Sequence, residues 1–143
     1  RSAVVIGVHG TMFEDPFVSY ERSRTVLHYR QSLAEDTTVH LLGTGTVAFH
    51  TRTLQVMPKD FRAPNMADVW LAVLGQTQNV PFVAVSRAQD WLRDAGNGGD
   101  SIFKASKNKT GTVMDQGRLR DEVVAGESWR IPRTKRIVAR SPR

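Results

Sequence analysis

"LLGTGTVAFHTRTL", Leu41 to Leu54, sets Gly43 and Gly45 around Thr44, then follows with Thr46 and a short apolar run. Glycine at alternate positions weakens a strand and is worse in a helix, because bare backbone loses the most freedom on ordering and brings no side chain to pack. The pair lies between two strand-like stretches, "TTVHLLG" (37–43) and "TVAFH" (46–50). Such a position suits either a tight corner or a wall where a ligand approaches the backbone. Thr44 and Thr46 add hydroxyls beside that backbone, which fits a polar ligand such as a sugar. No lysine follows the glycines and the dinucleotide-binding pattern is incomplete, so a phosphate-binding loop is the weaker reading.

Downstream, "APNMADVWLA" (63–72) opens a second decisive stretch. Met66, Val69, Trp70, Val73 and Leu74 recur at helical spacing after Pro64 and Asn65, which predicts a helix over Met66–Gln76 with Trp70 in the core. Asp68 falls in its first turn. There a carboxylate satisfies orphan N–H groups and the helix dipole, or points into a cleft as a general base.

Around these two stretches the chain alternates short strands and helices, an α/β pattern. "SAVVIGV" (2–8) reads as a buried strand, and "HGTMFEDPFVSYERSR" (9–24) as a loop broken by Gly10 and Pro16. "TVLHYRQSL" and "TTVHLLG", separated by "AEDT", are expected to form an antiparallel pair. "VPFVAVS" (80–86) reads as a strand, "RAQDWLRDAG" (87–96) as a short helix closed by Gly96, "NGGDS" as a turn and "SKNKTGT" as a polar loop. "VMDQGRLRDEVVAGE" (113–127) is expected to be a helix weakened by Gly117. The first strand begins with no turn or cap before it, so a further segment is expected upstream.

Composition narrows the function. The chain has 143 residues and no cysteine, which excludes disulfides and thiolate metal sites. The net charge of +6 lies wholly in the last fourteen residues, where Arg130, Arg133, Lys135, Arg136, Arg140 and Arg143 meet no acid. Residues 1–129 are neutral, with 14 basic against 14 acidic side chains. The natural division is therefore one domain over 1–129 and a basic, disordered tail over 130–143. His28, His40 and His50 share no metal-ligand spacing and read as surface or strand residues. A second reading of the whole chain is a non-catalytic binding module whose tail meets nucleic acid or another anionic partner. Against it, the body interleaves no basic and aromatic residues on one face and carries none of the nucleic-acid-binding motifs.

In order, "IGVHG" (6–10), "LGTGTVAFHTRTL", "FRAPN", "MADVWLA" and "PFVAVSRAQDWL" (81–92) resemble the acceptor half of glycosyltransferase family 2, of the bacterial polysaccharide-building kind. The resemblance spans residues 3 to 103. The family more often shows two acids in a row at the helix start; here Ala67 stands in the first place. The resemblance implies the C-terminal part of a GT-A, nucleotide-diphospho-sugar transferase fold, a mixed sheet with flanking helices. It implies an inverting hexosyl transfer from a nucleotide-diphosphate sugar to a glycan or other acceptor, at the cytoplasmic face of a membrane that the basic tail would contact.

By the same resemblance Asp68 is the base, and Gly43, Thr44, Gly45 and Thr46 line the sugar site. His9 and Gly10 lie near the donor phosphate or metal. Arg87 contacts the diphosphate, and Trp91 stacks on a sugar or, on its helical spacing, anchors its helix in the core. A divalent cation, manganese or magnesium, is implied for the full-length enzyme. No D-x-D occurs in these residues. The expectation is therefore an acceptor-side portion of a longer enzyme, holding no cation and inactive alone.

Overall fold

The computed structural model describes residues 3–95, 112–127, 129 and 134–135. Over these the protein is a mixed α/β structure with two small sheets. The first sheet holds β4 (Thr37–Val39), β7 (Phe82–Ala84), β1 (Val5–Gly7) and β6 (Val47–Ala48), in that order. β1 runs parallel to β7, and the two outer pairings are antiparallel. In the second sheet β2 (Gly10–Asp15) lies between β3 (Arg24–Leu27) and β5 (Leu41–Leu42), both antiparallel to it.

The long helix predicted from the apolar spacing forms as α1, Ala67–Gln78. It buries Val69, Trp70, Leu71, Ala72 and Gly75, and ends at Asn79, whose φ of 59° is left-handed. Gly75 lets the helix sit close on the first sheet. A Cβ there would lie 2.4 Å from Phe82 Cε1, closer than packed carbons approach. Trp70 is a core residue, 5 % exposed, and its indole N–H donates to the Ala63 carbonyl at 3.2 Å.

Four expectations are corrected. Residues 10–15 form a strand, not a loop: Thr11 and Phe13 are buried while Met12 and Glu14 are half-buried, and Gly10 and Pro16 only bracket that alternation. β3 and β4 do not pair with each other, because β2 takes β3 and β7 takes β4, so residues 28–36 cross between sheets. Residues 87–95 form no helix. The Leu33–Arg87 bridge holds the segment extended at its start, and Asp90 adopts a left-handed φ of 54° that interrupts any helical run. His40 is wholly buried rather than superficial. It sits between β4 and β5 stacked on Phe13 at 5.5 Å, with its Nδ1 accepting the Phe13 N–H at 2.7 Å.

A second helix, α2 (Thr112–Gly126), closes the aromatic end of the core. Val124 and Trp129 are buried, and Trp129 lies 5.0 Å from the Phe13 ring. Of the basic tail, Thr134–Lys135 is described, as β8, running parallel to Glu14–Asp15 at the end of β2. The expected disorder of its other residues, like the "NGGDS" turn and most of the "SKNKTGT" loop, lies outside the described residues. None of the described helices is long and apolar enough to cross a membrane.

Candidate active site

Asp68 sits in the first turn of α1, where its Oδ1 accepts the Val69 N–H at 3.0 Å. That contact fixes the carboxylate by the helix start, as its position predicts. Burial raises its pKa above the usual carboxylate range, against the lowering pull of the Val69 N–H, the Arg120 guanidinium, its own N–H and Arg24. The protonated form is thus favoured more than in water, the direction that suits a group meant to take a proton.

Beside Asp68 lies a group that no local spacing discloses. Tyr20 is 5 % exposed and carries two guanidinia on its ring, Arg24 at 4.2 Å and Arg120 at 4.1 Å from the centroid. Glu21 accepts from both arginines, at 2.7 Å from Arg24 and 3.3 Å from Arg120. The Tyr20 N–H donates to Asp121 Oδ1 at 2.7 Å, tying this loop to α2. Burial first, and then the Asp68 charge, push the Tyr20 hydroxyl up to about 12, although both arginines pull it down. An open depression of 450 Å³ lined by Val18, Glu21, Arg22 and Arg24 adjoins the group.

The glycine stretch forms a single 3-10 turn, Thr44–Thr46, leading from β5 into β6. The turn is fastened to His9. Gly43 N–H donates to the His9 carbonyl at 2.8 Å, and the His9 N–H donates to Thr46 Oγ1 at 3.2 Å. The two glycines have different reasons. A Cβ on Gly43 would meet His9 Cδ2 at 3.3 Å, a tight fit that makes this glycine a packing residue. A Cβ on Gly45 would meet nothing within 4 Å. Thr44 and Gly45 are exposed, so the turn shows bare backbone to solvent for no reason of packing.

Burial first, and then the charges of His28, Arg24 and Arg87, lower the pKa of His9. The His9 ring lies edge-on to His28 at 5.3 Å and tilted to Tyr29 at 6.0 Å. α1 packs against β5, which runs directly into the glycine turn.

Two proposed contacts, those of Gly10 and Arg87, are placed otherwise, and for Trp91 the alternative of core packing falls. Gly10 is buried in β2, where a Cβ would meet Val39 and Ala84 at 3.0 and 3.1 Å; it packs between strands. Arg87 is 8 % exposed, and its two terminal nitrogens donate to the carbonyls of Val85, Leu27 and His28, so it braces loops instead of facing a diphosphate. Trp91 is 65 % exposed, not the core anchor its spacing predicts. It stands on a segment strapped to Tyr29 and Arg30 by Tyr29–Asp94 and Arg30–Asp90 contacts of 2.6 and 2.8 Å.

Among the described residues no group of three or more His, Asp or Glu side chains stands where it could hold a metal ion. His9 is packed against the rings of His28 and Tyr29. Compared with models of known protein families the chain matches none. No curated protein matches it either.

Proposed function

We propose that the chain carries the acceptor side and the general base of an inverting glycosyltransferase of the GT-A type, acting on a nucleotide-diphosphate sugar. The observation that carries this reading is the half-buried Asp68 at the start of α1, its pKa raised, on a helix packed against β5, which leads into an exposed turn whose Gly45 has no packing role. In the step, an acceptor hydroxyl gives its proton to the Asp68 carboxylate as its oxygen bonds to the anomeric carbon. The bond from that carbon to the diphosphate breaks, and its electron pair leaves with the phosphate oxygen. Gly45 admits a sugar ring to the backbone, and the hydroxyls of Thr44 and Thr46 flank it. No step is assigned to a cation.

The test uses the protein expressed from the complete reading frame that contains these residues. It is offered a panel of nucleotide-diphosphate sugars with glycan acceptors, and the anomeric configuration of any product is read by NMR. The reading expects transfer with inversion. Retention of configuration, or no transfer from any donor by a folded protein, would overturn it.

A further inference from the structure

His40 has no part in the proposed transfer, yet it is a titratable side chain with no exposed surface. Its ring is stacked on Phe13 of β2, the centroids 5.5 Å apart and the planes within 9°. Its Nδ1 accepts the Phe13 N–H at 2.7 Å. A histidine nitrogen accepts only when it carries no proton, and an imidazolium donates at both nitrogens. The stack therefore requires neutral His40, with its proton on Nε2. Trp129 rests on the same pair of rings, 5.0 Å from Phe13 and 5.5 Å from His40. Its indole N–H donates to the Val124 carbonyl at 3.1 Å, which ties it to the end of α2. The seat of α2 on the second sheet thus includes a base that must stay bare.

We propose that His40 is an acid-sensitive latch: a proton on Nδ1 sets two donors against each other at the Phe13 N–H, breaks the stack, and releases Trp129 with the end of α2. The rings against His40, Phe13 and Trp129, carry no charge. On β2, Glu14 lies on the other face and accepts the Thr25 hydroxyl at 2.7 Å, and Asp15 is exposed at the strand's end, in register with Lys135. Beyond Phe13 stands Tyr20, 5.8 Å from that ring, with Arg24 from β3 and Arg120 from α2 over it and Glu21 between them. Asp121 of α2 accepts the Tyr20 N–H. The two arginines and two acids of that cluster sum to zero, so it offers an imidazolium no net counter-charge.

Once released, the imidazole charges near the ordinary histidine value of about 6.5. Opening then takes up one proton, so the opening constant rises about tenfold for each pH unit below that point. The stability held in the latch is complete above it and lost as the pH falls. The inference is independent of sugar transfer. The test follows the 143-residue chain from about pH 8 to about pH 5, across the histidine range. Imidazole ¹⁵N NMR reads the tautomer of His40, and hydrogen exchange, corrected for its intrinsic pH dependence, reads the amides of α1 and α2. The expected result is the Nε2–H tautomer at the upper end, then loss of α2 protection by about tenfold per pH unit below about 6.5 while α1 keeps its own. An Nδ1–H tautomer, α2 protection that holds across the range, or equal loss from α1 and α2 overturns the latch. His28→Gln and His50→Gln should leave the α2 transition in place, and its absence from either folded variant overturns the assignment to His40.

Discussion

At the scale of single residues, Asp68 separates catalysis from stability. Its folded pKa is raised, so its contribution to stability is fully present below the ordinary carboxylate pKa and is lost as pH rises through the folded value. At neutral pH the ionised group works against the fold. Asp68→Asn should therefore leave the melting temperature unchanged or higher at pH 7, and thermal melts check this. A clear drop would show that the carboxylate supports the fold. Tyr20 gives the opposite end of the pH scale. Its hydroxyl is raised from 10.0 to about 12, so the stability it contributes is intact below pH 10 and lost between there and pH 12. The loss is on the order of 3 kcal/mol, and denaturant midpoints against pH for the chain and Tyr20→Phe measure it: the variant should lack that share of the alkaline decline. Gly45→Val should reduce activity before stability, because the added side chain meets open space in the protein but stands where a sugar would approach. Melts and acceptor kinetics on one sample distinguish this from a structural corner, in which stability falls first.

At the scale of elements, α1 shows how a glycine can be legible in position yet not in purpose. Helix propensity favours Gly75→Ala by about 1 kcal/mol. The Phe82 ring, 2.4 Å from the new Cβ and itself 3 % exposed, opposes it. Net destabilisation of about 1–3 kcal/mol is expected from overpacking, and urea unfolding decides the sign. The span of α1 could be read from the 3.6-residue period of Met66, Val69, Trp70, Val73 and Leu74, but its buried face only in part, since Leu71, Ala72 and Gly75 are buried while Val73 and Leu74 are half-buried. β2 could not, because five residues between a glycine and a proline look like a loop until a partner strand is known. Nor could the pairing of β3 and β4, which depends on which strands lie between them. For the site, Asp68 and the glycine turn stood out by local chemistry. Arg24 and Arg120 did not, being 96 residues apart and brought together only when α2 docks. Trp91 misled because the helical pattern around it is overridden by the left-handed Asp90.

At the scale of the whole molecule, two basic groups among the described residues are already engaged: Arg87 on three carbonyls and Arg24 on Glu21. Exposed cations add little alone, so the 143-residue chain should show no tight binding of nucleoside diphosphates with manganese by calorimetry. Micromolar, metal-dependent binding would mean that the donor site lies within these residues and has been misplaced. The most direct measurement compares single-turnover sugar transfer by the protein expressed from the complete reading frame and by its Asp68→Asn variant, with donor affinity measured on the same samples. Loss of a general base costs about 10²–10⁴ in rate, so transfer should fall by that factor while donor affinity and melting temperature hold. Transfer by a folded Asp68→Asn protein at the unaltered rate would contradict the role of Asp68 as the base.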